Sequence, residues 1–258
     1  MKIFRYFVRL SYNGKNYHGW QIQPNGNSVQ AELTKAFRLI LRQKNIEIYG
    51  AGRTDAGVHA KNFVAHFDVE NEIDDIPQMI YKINGFLPKD IAIHDIYKVK
   101  NNAHSRFDAK SRTYQYFISI CKEPFSQEFS WYLFGEMNLE KMNEAASKLM
   151  KYRDFSSFSK LHTQVKTNNC KIFSAQWKKI DCMLIFEITA DRFLRNMVRA
   201  IVGTLVEIGK GKISIDDFEE IILSKNRSKA GESAPAHALF LTNIEYPEIN
   251  ISELNMNF

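Results

Sequence analysis

The order of strand and helix patterns occurs twice along this 258-residue chain and is the feature that most constrains its fold. Phe4–Tyr12 is rich in β-branched and aromatic residues and ends at Asn13-Gly14, which is typical of a strand followed by a turn. Asn27-Ser28 then precedes apolar residues at helical spacing, and Asn27 with Gln30 resembles a loose capping box. The rest of the first half is predicted as strands at 46–49, 62–69 and 91–99 and a helix at 76–84.

The second half repeats this order. It predicts a strand at 112–120, a helix at 139–150, and a hairpin of strands 171–180 and 183–190 around Asp181-Cys182. The inward face of the helix comprises Met142, Ala145, Ala146 and Leu149. Helices at 193–209 and 215–224 follow, the second capped by Ser214.

Two such halves predict an α+β fold. We expect two strand–helix–strand halves with antiparallel sheets flanked by helices and a central basic cleft. The first half comprises residues 1–103 and the second comprises residues 104–258.

Composition favours a cytoplasmic globular protein, with 45% hydrophobic and 25% charged residues. Arg9 and Asn13 interrupt the apolar N-terminal stretch, so we expect no signal peptide. The most apolar predicted helix, at 193–208, carries two arginines and is not expected to span a membrane. Cys121, Cys170 and Cys182 lack CxxC spacing, so we expect three thiols, neither a disulfide nor a zinc site.

Positive charge is concentrated in two segments of a chain whose formal net charge is +6. Residues 155–180 contain five lysines and no acidic residue, and a second basic run spans 98–112. Such runs are typical of nucleic-acid binding, but lysines also protect exposed strand edges from pairing. Both interpretations stay open at this level.

Three arginines, in the predicted helix at 193–209 and at the residue before it, fall on one narrow face at about 100° per residue. They are Arg192, Arg195 and Arg199. They could form the solvent face of that helix, or they could line a cleft and meet an anion. RNA phosphates and the carboxylate of Asp55 are the candidate anions.

Arg53 and Asp55 stand two residues apart in a glycine-flanked loop at 52–60. On a nearly extended backbone both side chains would point the same way, and the guanidinium would hold the carboxylate ionised in a partly buried place. The sequence Thr-Asp-Ala-Gly is also a common way to cap a helix or close a turn. The pattern alone therefore leaves a catalytic and a structural interpretation open.

Several catalytic classes lack their motifs in this chain. It contains no Walker loop, no GxGxxG after a strand, no HExxH and no nucleophile elbow, and no histidines are spaced like metal ligands. We therefore expect neither a cofactor nor a metal. Carboxylates, arginines and tyrosines suit chemistry at a glycosidic carbon, and they also suit plain RNA binding. A glycoside hydrolase would usually need a second carboxylate, and no nearby segment offers a convincing one.

Seven motifs in family order resemble the bacterial tRNA pseudouridine synthase A family. Residues 52–60 match its GRTDAGVHA signature. The other six read YHGWQIQP at 17–24, NGFLPKDI at 84–91, HSRF to RTYQY at 104–116, DFSSF at 154–158, FLRNMVR at 193–199 and APAHAL at 234–239. The resemblance covers nearly the whole chain and implies the pseudouridine-synthase fold.

The resemblance implies a cofactor-free isomerase. It would convert uridine to pseudouridine at positions 38, 39 and 40 of the tRNA anticodon stem-loop, as a homodimer that holds tRNA across both subunits. By motif position Asp55 is the nucleophile, Tyr114 stacks on the target base, Arg53 helps to flip the nucleotide out, Arg199 pairs with the catalytic carboxylate, and Leu239 walls the uracil pocket.

Further RNA-binding candidates come from the basic segments and the arginine motif. They are Arg192, Arg195, Lys160, Lys166 and Lys171.

Three positions depart from the family pattern. Ser105 replaces the usual alanine, which we expect to be harmless. Ala238 stands where glycine is common, so the rim of the pocket would change. Cys170 or Lys171 takes the place of an arginine, which would affect an RNA contact and the range of substrates.

Overall fold

The computed structural model describes residues 3–24, 26–160 and 167–247. The chain divides into two compact units, Met1–Lys110 with Thr242–Phe258, and Ser111–Leu241. This division differs from the expected halves, because residues 104–110 and 242–247 belong with the first unit.

The first unit contains four complete strands and two α-helices in its described residues. These are β1 (Phe4–Tyr12), α1 (Val29–Leu41), β2 (Tyr49–Gly50), β3 (His59–Val69), α2 (Ile76–Phe86) and β4 (Ile91–Val99). β1 pairs antiparallel with β3 and with β4, so that Phe7 lies opposite both His66 and Tyr97. β2 is a short antiparallel addition to β3.

Local sequence explains the main helix of this unit. The Ser28 side chain accepts a hydrogen bond from Ala31 N, so the N-cap is Ser28 and the expected cap at Asn27 is wrong. Leu33 and Phe37 on the apolar stripe are fully buried, and the Phe37 ring packs against Phe67 at 4.7 Å between centroids. The predicted strand at 46–49 shrinks to the two residues of β2, while β3 begins three residues earlier than predicted.

The second unit contains four complete strands and three α-helices in its described residues. They are β5 (Ser111–Ser119), β6 (Trp131–Tyr132), α3 (Leu139–Lys148), β7 (Ile172–Ile180), β8 (Met183–Ala190), α4 (Met197–Gly209) and α5 (Ile215–Ser224). β8 is antiparallel to both β5 and β7. β6 runs parallel to β5, so the expected wholly antiparallel pairing is wrong there. A last strand, β9 (Leu239–Glu245), starts in this unit and ends in the first.

Helix α4 starts four residues later than its apolar pattern predicts. Asn196 adopts a left-handed backbone conformation, with φ of 66°, and a helix cannot continue through that conformation. Arg192 and Arg195 therefore precede the helix and only Arg199 lies in it, so the predicted face of three arginines is wrong. By contrast, the predicted cap of α5 is confirmed, because Ser214 and Asp217 form a reciprocal capping box.

Two cysteines form a disulfide, Cys121–Cys182, which corrects the expectation of three thiols. Cys121 follows β5 and Cys182 lies in the turn before β8, and the pairing of Ser119 with Met183 brings them together. Cys170 is a buried free thiol whose pKa burial raises to about 12. None of the helices described here is both long and apolar enough to cross a bilayer.

We predict that Cys121→Ser lowers the free energy of unfolding by about 2–4 kcal/mol, because the crosslink restricts the unfolded chain. Urea titration without reductant measures the loss. Dithiothreitol is the control, since it should remove the difference between the variant and the wild type. A wild-type protein with three titratable thiols and no response to dithiothreitol would contradict the disulfide.

Candidate active site

Asp55 begins a tight turn. Val58 N donates a hydrogen bond to Asp55 O at 3.1 Å, and Gly57, the third residue of the turn, has φ of 78°. A positive φ at this position is typical of a type II turn and favours glycine. The sequence Thr-Asp-Ala-Gly could have capped a helix or closed a turn. In the structure it closes a turn and does not cap a helix.

Buried contacts hold the residue that precedes Asp55. The Thr54 hydroxyl lies 2.9 Å from the Tyr12 hydroxyl, and both residues are buried. Thr54 O accepts a hydrogen bond from Trp20 N at 3.3 Å. Gly19 passes so close that an added Cβ would lie 2.3 Å from Thr54 O. The start of the turn is therefore fixed by the core of the first unit.

Residues 13–17 hold the other end of the turn. Gly57 N donates to Tyr17 O at 3.3 Å, and Gly14 N donates to His59 Nδ1 at 3.0 Å. A Cβ on Gly14 would lie 2.0 Å from Val58 O, so only glycine allows this backbone approach. Asp55 is thus presented by a turn that is anchored on both sides.

Arg53 and Asp55 have different surroundings. Asp55 is half-buried, whereas Arg53 is exposed and, within the described ranges, its guanidinium forms no hydrogen bond or ion pair. Arg53 is therefore not the counter-ion of Asp55, which corrects the pairing suggested by their spacing. An exposed guanidinium beside the carboxylate is suited to contact an external anion.

Tyr114 lies in β5 of the second unit, opposite Ile188. It is half-buried, and its ring meets that of Phe193 edge to face, with centroids 5.1 Å apart and an interplanar angle of 87°. Tyr116 is buried and donates to Pro235 O at 2.9 Å, and burial raises its pKa. Tyr116 is therefore a protonated structural residue, and Tyr114 is the more accessible of the two.

Arg199 lies in the first turn of α4 and is held by the segment before β9. Its Nε donates to Ala234 O at 2.7 Å, and Ala234 N donates to Arg199 O at 3.0 Å. The same segment packs on α4 at Gly203, where an added Cβ would lie 1.8 Å from Glu232 O. Leu239, 5% exposed, is the first residue of β9.

Arg227 supports this arrangement and was missed by the motif analysis. It donates to Ser233 Oγ at 2.8 Å and to Gly231 O at 3.1 Å, while Asn196 Nδ2 donates to the same hydroxyl at 2.6 Å. Arg227 belongs to none of the seven motifs, so only its partners in the fold reveal its place.

The predicted RNA-binding residues are scattered over the second unit. Lys160, Lys171 and Arg195 are exposed and Arg192 is half-buried, whereas Lys166 lies outside the described residues. Lys160 N donates to Arg195 O at 3.0 Å, which brings these two backbones together. The Lys171 ammonium lies 5.3 Å from the centre of the Phe173 ring.

The three departures from the family pattern have identifiable surroundings. The Ser105 hydroxyl is buried, lies 2.8 Å from His66 Nδ1 and donates to Tyr49 O at 2.8 Å. Burial lowers the pKa of His66 to about 4, so this histidine is neutral. Ala238 is buried without a positive φ, and Cys170 is buried beside exposed Lys171. Of Cys170 and Lys171, only Lys171 is exposed to solvent, as a residue that contacts RNA must be.

Comparison with known proteins identifies the family. The model of the family described as tRNA pseudouridine synthase matches residues 10–108 and 145–247. The chain belongs to the tRNA pseudouridine synthase family. The enzymes of this family are isomerases, and this chain is one of them. In the part of the chain that is described, no three His, Cys, Asp or Glu residues are grouped so as to hold a metal ion.

Three of the similar proteins, each named tRNA pseudouridine synthase A, show the extent of the match. The protein of Bacteroides fragilis is 55% identical over 249 residues, which cover 96% of this chain and 98% of that protein. That of Bacteroides thetaiotaomicron is 54% identical, with coverage of 96% and 93%. That of Parabacteroides distasonis is 54% identical, with coverage of 95% and 96%.

We predict that Gly14→Ala lowers the free energy of unfolding by about 1–3 kcal/mol, because the new methyl group overlaps Val58 O. Urea titration measures the change. Gly85→Ala in α2 is the matched control, because its Cβ meets no atom within 4 Å. It should be neutral or stabilise the helix by up to about 1 kcal/mol. Equal effects of the two substitutions would contradict the close backbone approach at Gly14.

Proposed function

We propose that the chain converts uridine to pseudouridine at positions 38, 39 and 40 of the tRNA anticodon stem-loop, with Asp55 as the nucleophile and without a cofactor. The observation that carries this proposal is the half-buried Asp55 at the start of an anchored turn. A turn held on both sides keeps a carboxylate in one position, which is what catalysis requires of a reacting group.

The reaction itself needs few chemical tools. The bond between N1 and C1′ is broken, the uracil turns, and C5 is joined to the same carbon, so substrate and product have the same atoms. A carboxylate can attack the sugar, attack the base or remove a ribose proton, and each route needs it ionised. No electrons enter or leave, which is consistent with a cofactor-free enzyme.

The other site residues have surroundings that suit their proposed roles. Arg53 is exposed, as a residue that enters RNA to flip a nucleotide must be. Tyr114 is fixed edge-on by Phe193, which orients its ring for stacking on the uracil. Ala234 O binds Nε of Arg199 and so orients its guanidinium, which we propose to pair with Asp55. Leu239 supplies an apolar wall.

Binding of tRNA is proposed to use the basic residues of the second unit. They are Arg192, Arg195, Lys160, Lys166 and Lys171. Contacts of this kind neutralise phosphates and add affinity that depends on salt. We further propose that the protein acts as a homodimer in the cytoplasm and holds tRNA across both subunits.

We predict that Asp55→Ala and Asp55→Asn abolish pseudouridine formation while most of the tRNA affinity remains, because both variants lose the carboxylate. Pseudouridine is mapped in the tRNA by chemical probing, and affinity is measured by filter binding. Asp95→Asn, at a half-buried aspartate of β4, is the matched control and should keep full activity. Product formation by Asp55→Asn at the wild-type rate would exclude Asp55 as the nucleophile.

A second prediction contrasts two arginines. Arg199→Ala should reduce turnover about 100-fold or more while tRNA affinity stays nearly unchanged, because the partner of the catalytic carboxylate acts on the chemical step. Arg195→Ala should instead weaken tRNA binding and reduce the salt dependence of log Kd by about 1, with turnover at saturating tRNA unchanged. Loss of affinity alone in Arg199→Ala would refute the pairing with Asp55.

A further inference from the structure

A second carboxylate, that of Asp90, binds the segment that supports the Asp55 turn. Tyr17 Oη donates to Asp90 Oδ1 at 2.5 Å, and Asn16 Nδ2 donates to Asp90 Oδ2 at 3.0 Å. Asn13 N donates to the backbone oxygen of Asp90 at 2.9 Å. Three oxygens of one residue thus bind residues 13–17, although Asp90 lies more than 70 positions later in the chain.

Residues 13–17 in turn contact the Asp55 turn directly. Tyr17 O accepts from Gly57 N, and Gly14 packs against Val58 O and donates to His59. Tyr17 therefore has two bonding functions, because its side chain binds Asp90 while its backbone oxygen binds the turn. A shift of Tyr17 would be passed to the turn through one hydrogen bond.

The Tyr17 phenol is well suited to a fixed position. Tyr17 is only 4% exposed, and burial together with the bond to Asp90 raises its pKa, so it remains a protonated donor. A hydrogen bond to an ionised acceptor is shorter and stronger than one between neutral groups. Both carboxylate oxygens of Asp90 accept hydrogen bonds within the protein, which indicates a structural task and not proton transfer to a substrate.

We infer that Tyr17 and Asp90 are positioning residues that hold residues 13–17 against the turn and thereby fix the Asp55 carboxylate for reaction. The inference rests on the proposed function of Asp55. It adds that the rate of the chemical step depends on a carboxylate other than the nucleophile.

The test compares two tyrosines that each donate to a carboxylate. Tyr17→Phe removes the bond to Asp90, and Tyr152→Phe removes a bond of 2.8 Å to Glu219 in the second unit. Single-turnover pseudouridine formation is measured at saturating tRNA, together with the Kd for tRNA and the urea unfolding curve. We expect Tyr17→Phe to slow the reaction about 10–100-fold with Kd within about twofold, because small misplacement of a reacting group is costly. Tyr152→Phe should lose stability without losing rate.

Substitutions of Asp90 provide a graded readout. Asp90→Asn keeps an oxygen that can accept from Tyr17, so it should retain more rate than Asp90→Ala. The double variant Tyr17→Phe with Asp90→Ala should be no slower than Asp90→Ala alone, because both changes remove the same contact. If Tyr17→Phe is unfolded at the assay temperature, the relative reaction rates of Asp90→Asn and Asp90→Ala test the positioning role instead.

These measurements distinguish a failure of the proposed function from a failure of the positioning role. A wild-type protein that forms no pseudouridine overturns the proposed function. A wild-type protein that is active, with Tyr17→Phe as fast as Tyr152→Phe or with a defect confined to Kd, overturns the positioning role alone. Equal rates for Asp90→Asn and Asp90→Ala would also contradict it.

Discussion

The contact between residues 13–17 and the 55–58 turn is the constraint on which the candidate site depends. Gly14 brings one backbone against the carbonyl oxygen of Val58, at a distance that no side chain allows. Hydrogen bonds from Gly57 to Tyr17 and from Gly14 to His59 close the same contact. Because β3 begins at His59, the turn is also fixed to the central pair of strands. The 55–58 turn is therefore held by backbone contacts on both sides.

In the second unit, a similar close backbone contact holds the cationic side chain of Arg199. Gly203 lets the backbone at Glu232 approach α4, and Ala234 then binds Arg199 through both a backbone and a side-chain hydrogen bond. Arg227 and Asn196 anchor the approaching segment through Ser233. In both units, a glycine permits a close backbone approach next to a charged residue of the proposed site. Rigid support of this kind fits a reaction in which positioning and electrostatics do most of the work.

Local patterns predicted much of this molecule. The bounds of β1 and β4, the burial of the four predicted inward residues at 142–149 and the cap of α5 agree with the structure, since each depends on neighbours in sequence. Three of those four residues lie in α3, and Leu149 directly follows it. The predictions fail where contacts between distant residues, or a single backbone angle, determine the structure. Strand register joins Cys121 to Cys182, and the left-handed Asn196 delays α4 and separates Arg192 and Arg195 from Arg199. The bond between Tyr17 and Asp90 likewise has no signal in either motif alone.

The anchored carboxylate of Asp55 is the group that we propose to catalyse the isomerisation of tRNA uridine. The most direct measurement incubates the purified wild-type protein with unmodified tRNA and maps pseudouridine by chemical probing. We expect new pseudouridine at positions 38, 39 or 40, without added metal or cofactor. Absence of product from every tRNA with uridine at these positions, from a folded protein that still binds those tRNAs, would contradict the account and indicate an RNA-binding protein without this activity.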